Sequence, residues 1–523
     1  MGLKLVFEVK EKDLLGRVGR VYIKGKRLDT PAFIPVISPY NQIIPPSEMK
    51  KRFRCNMVIT NSYIIYRRFG EAGVEKGVHR IINFDGIVMT DSGGFQVLEY
   101  GDIDINPVEI AVYQERIGSD VAVPLDKPTG LTSRQEAEET VRVTLDNIAK
   151  TFNSLGEERR SCWTAPIQGG LYHDLLERCI KELLKYDFDL FSLGSPTPLM
   201  ERYQYGKLVD MMFNARLHVP LDKPLHLFGA GHPMLFPFAV ALGYDTFDSA
   251  SYVLFAKADR YMLSSRTVKL ENLAYLPCEC SVCSLTTAEE LRKLEKNERV
   301  KLLAMHNLSI CFREVELIKQ HIHEGRFFEL LESRARAHPA LMQAFSNIIR
   351  NDKIMQLMAN HTPLTKPRGM YLFSAESLRR PEIRRGAERL EKVMSSSPTC
   401  FGMRRTAILI PHKLVITLKL EKLLQRLRKL ENYGEAAVFT YYTPFGIVPL
   451  SLSRTYPFSQ LSYPKSLIRD NLNQISRETL KKLRNLGFET VILIKSGGEP
   501  PSWFLEGLGE VLAKEFNVRV VEL

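Results

Sequence analysis

Residues 87–96 read Ile-Val-Met-Thr-Asp-Ser-Gly-Gly-Phe-Gln. A short apolar run rich in β-branched residues ends on a carboxylate, Asp91, and two glycines follow at once. Seven further short runs resemble it, at 32–36, 57–61, 121–126, 162–168, 190–194, 225–229 and 244–248. The segments between them are longer, and several carry helical patterning. The clearest is 133–152, opened by Thr132 and Ser133 with Glu136, Glu138 and Glu139 in its first turns. Eight strands alternating with helices predict an α/β chain with a parallel (β/α)8 TIM barrel rather than an open sheet. Asn61, Asp91, Asp126, Gln168 and Asp248 each close one of the runs. The carboxyl ends of barrel strands share one mouth, so these residues are expected to converge there.

The chain has 523 residues, which suggests about 3 to 4 domains, or fewer if one is a large barrel. With 45% hydrophobic and 25% charged residues, 32 Gly and 28 Pro, it is neither collagen-like, disordered nor a disulfide miniprotein. No continuous apolar stretch approaches about 20 residues; the uncharged stretch 436–453 is broken by Pro444, Gly446 and Pro449, so no membrane span is expected. The opening MGLKLVFEVK carries charges every few positions and lacks the apolar core of a signal peptide; Val6 also fails the myristoylation pattern. A cytoplasmic location follows as the expectation.

The net charge of +12 is concentrated. Residues 366–429 hold 16 Lys and Arg against 5 Asp and Glu, whereas 430–523 hold 10 of each. Arg379, Arg380, Arg384, Arg385 and Arg389 form a block able to neutralise phosphates, which favours a nucleic-acid partner; a solvated basic helix is the alternative. Five of the eight cysteines, Cys55, Cys162, Cys179, Cys311 and Cys400, are isolated and read as buried thiols in a reducing compartment. The other three lie within six residues as Cys278, Cys280 and Cys283, and His306 follows after 22 intervening residues. Clustered thiolates with an imidazole brought back by a helix over 286–303 suit one tetrahedral Zn2+ per chain, and four protein ligands make the site structural.

The strand-end carboxylates suggest a reaction type. One of two carboxylates at a mouth can attack an anomeric carbon while the other moves the proton of the departing group. Asp91 and Asp248 are the candidates; Asp248 alone reads equally as a capping aspartate, and an Asp-capped turn is the lesser alternative for Asp91. Ser92 and Phe95 flank the glycine turn, where Phe95 can pack or stack against a small ligand. Asp126 can accept two N–H bonds from a flat edge such as guanine N1–H and its 2-amino group. Gln168 offers donor and acceptor, and Gly194–Ser195 offers backbone at close approach; plain turn chemistry explains either as well.

Taken together, TDSGGFQ at 90–96, QGG at 168–170, LGSPTPLME at 193–201, FDSAS at 247–251 and the Cys-x-Cys-x2-Cys-x22-His pattern resemble a tRNA-guanine transglycosylase, of the archaeal, archaeosine-forming branch. The resemblance is strong over about residues 1–345 and looser beyond. It implies a (β/α)8 barrel with a zinc subdomain that exchanges guanine 15 in the D-loop of tRNA for 7-cyano-7-deazaguanine. Carried over, Asp248 attacks ribose C1′ and Asp91 transfers protons at the base, though the family has been described with either as nucleophile. Ser92, Phe95, Asp126, Gln168, Gly194 and Ser195 match substrate-binding positions, and Cys278, Cys280, Cys283 and His306 match the zinc ligands.

The expected organisation is a catalytic barrel over 1–345 with a zinc subdomain from about 270, a basic region over 346–429, a C-terminal domain over 430–523, and smaller α+β folds after the barrel. Archaeal members usually end in a β-rich PUA domain; here 489–495, 501–515 and 517–521 read as strand, helix and strand, so that domain is expected to be absent. A separate RNA-binding partner or a homodimer would then strengthen the grip on tRNA. The aromatic stretch 439–445 reads as core more readily than as an RNA-stacking surface, and His321 and His323 as surface residues of an amphipathic helix. Rival readings are a catalytically altered paralogue, a non-catalytic tRNA-binding subunit, and a barrel glycosidase acting on sugars.

Overall fold

The computed structural model describes residues 5–94, 106–157, 159–396, 404–430 and 433–523. Cys400 and Phe95 lie outside them. The chain forms two compact units, Met1–Ile354 and Met355–Leu523.

The first unit opens with an antiparallel sheet of β1 (Leu5–Asp13), β2 (Gly16–Ile23) and β3 (Lys26–Thr30). Eight strands follow: β4 (Ala32–Pro35), β5 (Met57–Asn61), β6 (Ile87–Asp91), β7 (Val121–Ala122), β8 (Cys162–Ile167), β9 (Leu190–Leu193), β10 (Leu225–Leu227) and β11 (Thr246–Ser249). All pair in parallel in chain order, β11 returns to β4, and a bridge between Val36 and Ile59 joins β4 to β5. The expected barrel therefore forms, one strand for each run.

Alternation along the strands divides the barrel's residues. Ile34, Met57, Ile59, Ile87, Met89, Val121, Val123 and Cys162 form one buried cluster, which Val21, Ile23 and Leu28 of the antiparallel sheet join. That sheet thus supplies apolar side chains to the barrel's interior core. β7 is much shorter than the run 121–126: Pro124 has no N–H to donate, and the Gln114 side chain takes over, donating to Val123 O at 2.9 Å and accepting from its N–H at 3.2 Å. The predicted helix after it spans Arg134–Leu155, capped by Ser133 and Glu136 in a reciprocal box.

Beneath β10 and β11, Arg17 of β2 reaches the buried Asp245, with Nε donating to Oδ1 at 2.9 Å and Nη2 to Oδ2. Asp245 also accepts from Leu225 N–H at 2.8 Å. After β11 come the helix Ser251–Lys257 and a hairpin of β12 (Arg260–Met262) and β13 (Thr267–Lys269). The single helix expected over 286–303 is two. Ala288–Lys293 starts on a Thr287–Glu290 capping box and stops where Leu294 turns extended; Lys296–Glu324 then runs for 29 residues and carries His306 in its interior. His321 is half-buried and His323 exposed on that helix, as surface positions.

The second unit pairs β14 (Met370–Tyr371) with β18 (Leu461–Ser462). Its main sheet holds β15 (Thr406–Pro411), β16 (Ala436–Thr443), β17 (Gly446–Pro449), β19 (Thr490–Lys495) and β20 (Asn517–Glu522), in the order β17-β16-β15-β19-β20. Only β17 is antiparallel, at the edge. One apolar cluster lies on each face, so strands from both sides of residue 430 share the same cores. Phe439, Tyr441, Tyr442 and Phe445 are all buried, which removes the RNA-stacking reading of that stretch. Arg380 is also withdrawn from the basic block: it is fully buried, pairs with Glu382 at 3.2 Å and donates to Tyr371 O at 3.1 Å, while the buried Lys366 meets the same carboxylate. Arg379 and Arg389 remain exposed. No described helix is long and apolar enough to cross a membrane.

Arg17→Met leaves the Asp245 carboxylate buried without its cation and is expected to cost about 3–5 kcal/mol of stability. Urea unfolding measures this, and the double variant Arg17→Met with Asp245→Leu should recover most of the loss.

Candidate active site and metal centre

Parallel strands of a barrel deliver their last residues to one end, and here five of the eight deliver a polar side chain. Asn61 caps the helix Ser62–Lys76 through Oδ1 and donates from Nδ2 to Asp91 Oδ2 at 3.0 Å. Ser62 Oγ donates to Asp91 O at 2.7 Å, which fixes the backbone at the end of β6. Ser92 is buried, its hydroxyl directed to Pro124 O at 3.3 Å.

Burial, then the charge of Asp126, then that of Asp248 push the Asp91 carboxyl up to about 7, against main-chain N–H groups of Gly93 and Ser92 that favour the anion. Burial raises Asp126 to about 6, opposed by the Gln168 amide. These influences place Asp91, Asp126 and Asp248 within electrostatic reach of one another.

Asp126 and Gln168 are joined by a hydrogen bond. Gln168 Nε2 donates to Asp126 Oδ2 at 2.6 Å. Its Oε1 accepts from Thr129 N–H at 3.0 Å, Thr129 Oγ1 at 3.2 Å and Ser195 Oγ at 3.0 Å, which orients the amide. Two glycines leave room for this. A Cβ at Gly94 would stand 2.5 Å from Asp126 Oδ1, and one at Gly194 2.2 Å from Gln168 Nε2.

Asp248 is held differently. His226 Nε2 and Gly229 N–H both donate to Oδ1, each at 3.0 Å, so Oδ2 has no hydrogen-bond partner among the described residues. His226 is completely buried, and Thr246 Oγ1 lies 2.9 Å from its Nδ1. The chain Thr246–His226–Asp248 requires the Nε2–H form of the imidazole when the carboxylate is ionised. His226, Thr129 and Gly229 are absent from the sequence-derived site. His226 has one available signal, a histidine inside an apolar strand one residue short of its carboxyl end.

The structure thus brings together Asp91, Ser92, Asp126, Gln168, Gly194, Ser195 and Asp248; Phe95 lies outside the described residues. On a separate part of the first unit, Cys278, Cys280, Cys283 and His306 place their ligand atoms within 4.8 Å of one another. His306 turns Nδ1 to the sulfurs, 3.5 Å from Cys280 and 3.3 Å from Cys283, while Nε2 donates to Met262 O at 2.8 Å. Tyr261 stacks on the imidazole at 3.7 Å and offers its hydroxyl to Cys283 Sγ at 3.3 Å. A ring locked from behind, facing three thiol sulfurs, is a donor set that can hold a metal ion.

Fold and site define a (β/α)8 protein with three interacting carboxylates at its mouth and a Cys3His cluster outside it. Residues 12–340 match the queuine tRNA-ribosyltransferase (TGT) family. The chain is 39% identical over 492 residues to the tRNA-guanine(15) transglycosylase of Aeropyrum pernix, covering 92% of this chain and 93% of that protein. It is 37% identical to the protein of the same name from Sulfolobus acidocaldarius, over 93% of this chain and 95% of that one. With that of Pyrococcus furiosus it shares 38% identity over 87% of this chain and 70% of the relative. The chain belongs to the queuine tRNA-ribosyltransferase family.

Raising a carboxyl from 3.8 to about 7 stabilises the fold fully below pH 4, and that contribution is lost as pH rises through 7. Asp91→Asn should therefore make the protein more stable than wild type at pH 8, by on the order of 4 kcal/mol, with the gap closing toward pH 4. Paired denaturation curves across that range measure it; parallel curves would contradict the assignment.

Proposed function

We propose that the protein is a tRNA-guanine transglycosylase that exchanges guanine 15 in the D-loop of tRNA for 7-cyano-7-deazaguanine, the step that commits the tRNA to archaeosine. One observation carries the reading: Asp248 has one oxygen tied by His226 and Gly229 and the other without a partner among the described residues, in a mouth shared with the raised carboxyl of Asp91. The names of the relatives and the family match support the same substrate.

Asp248 Oδ2 attacks ribose C1′ as the bond to guanine N9 breaks, and the electron pair leaves with the base. Asp91 gives the departing base a proton. The incoming base returns a proton to Asp91, its N9 attacks C1′ and the aspartyl ester opens. A carboxyl poised near 7 populates both forms at neutral pH, which suits a group that must give and take one proton per cycle. One N-glycosidic bond replaces another, so no energy source is required. Asp126 and Gln168 read the base edge, with Ser92, Ser195 and the Gly194 backbone as neighbours. The target nucleotide must leave its tertiary stack to reach the mouth, and the exposed arginines and lysines of 366–429 supply phosphate contacts that favour this.

The Cys3His cluster fits Zn2+, which Cys278, Cys280, Cys283 and His306 would hold; bound there it would cross-link the knuckle to the long helix, and four protein ligands would leave it no open position for the exchange. A homodimer belongs to this reading too, with Tyr275 and Leu285, 83% and 85% exposed beside the knuckle, as apolar contact surface.

Labelled guanine should enter an unmodified tRNA transcript with wild-type protein, fail to enter a transcript changed at position 15, and fail with Asp248→Asn. His226→Gln should lower kcat by about 10- to 100-fold with little change in KM for tRNA, because it loosens the attacking carboxylate and leaves RNA contacts intact. Label entering with Asp248→Asn at the wild-type rate would overturn the mechanism.

A further inference from the structure

The second unit contains a separate place where strand ends, open glycines and unsatisfied polar groups meet. Its sheet changes direction of growth between β15 and β19: the chain passes from β15 to β16 on one side and from β19 to β20 on the other. In open α/β sheets this reversal leaves a crevice outside the carboxyl ends of the two strands.

Several features cluster there that a scaffold does not need. Tyr442, near the end of β16, has φ of 63°, a conformation costly for a bulky residue. It is 7% exposed, its hydroxyl has no partner among the described residues, and its carbonyl accepts from Tyr463 Oη at 2.9 Å. His412, directly after β15, is 6% exposed with Nδ1 equally unpartnered. Leaving such groups buried and unpaired is costly for a fold. Glu499, just beyond β19, is met by Lys413 Nζ at 3.2 Å and Lys465 Nζ at 3.4 Å, so three separate segments converge on one carboxylate. Gly497 and Gly498, in the turn before it, have φ of 58° and 76°, and nothing lies within 4 Å of where a Cβ would stand on either. Trp503, half-buried, lies 6.4 Å from Tyr442, ring to ring.

We propose that this crevice binds a nucleoside monophosphate unit, free or as the 5′ end of an RNA strand. Two ammonium groups on one carboxylate leave a net positive charge for a phosphate, which the open Gly497–Gly498 backbone lets approach closely. Glu499, fixed by the lysines, accepts from ribose hydroxyls, as acidic residues at strand ends of such sheets do. Trp503 provides the aromatic surface for the base. The site lies wholly within the second unit and uses none of the residues of the barrel mouth.

The test titrates the full-length protein with uridine 5′-monophosphate, whose base does not present the guanine edge that Asp126 and Gln168 are proposed to read. Tryptophan emission is the readout: the chain has two tryptophans, and Trp163 is fully buried in the barrel, so a response reports Trp503. Saturable binding is expected, weakened about tenfold or more by Lys413→Ala with Lys465→Ala, both 63–66% exposed and so neutral to folding, and unchanged by Asp126→Ala. A short 5′-phosphorylated oligoribonucleotide distinguishes the sources: tighter binding than the free nucleotide assigns the site to an RNA end, and equal or weaker binding to a free nucleotide. Absence of saturable binding by both probes, or equal affinity in the lysine variant, overturns the proposal. Loss of binding in Asp126→Ala does so as well, by placing the ligand at the mouth.

Discussion

Three carboxylates that repel one another share one poorly hydrated barrel mouth, and most of the surrounding structure is arranged to keep them there. Left alone, such groups would take up protons or move apart. Asn61 holds Asp91, Gln168 holds Asp126, and His226 with Gly229 holds Asp248. Each tether occupies a single carboxylate oxygen. Burial raises the proton affinity of Asp91 and Asp126, and at Asp91 the charges of Asp126 and Asp248 add to it.

The rest of the first unit makes this arrangement rigid. Alternating apolar residues fill the barrel together with side chains of β2 and β3, and the Arg17–Asp245 pair clamps the sheet under the strands that carry His226 and Asp248. The Cys3His cluster ties the chain after β11 to the long helix, away from the carboxylates.

Much of this was legible in the sequence because the relevant patterns are local. Runs such as 87–91 and 162–168 announce buried strands, and the polar residue ending each predicts a mouth without any knowledge of pairing. Ser133 with Glu136, and three cysteines in six residues, are equally local. What escaped notice depends on distant partners. His226 in an apolar strand reads as core until Asp248 is found beside it, and Thr129 joins the site only through Gln168. Arg380 counts as surface charge in any composition sum, yet Glu382 and Lys366 draw it inside. The break after Lys293 turned on the backbone of Leu294, which amphipathic spacing does not record.

The claim on which the account rests is that Asp248, and not Asp91, carries the ribose. Incubating the protein with tRNA in the absence of an incoming base, denaturing it, and locating the RNA-bearing peptide by mass spectrometry tests this directly. The account predicts a denaturation-resistant adduct on the peptide containing Asp248, still formed at a reduced level by Asp91→Asn and absent from Asp248→Asn. An adduct on the peptide containing Asp91 that persists in Asp248→Asn would contradict it.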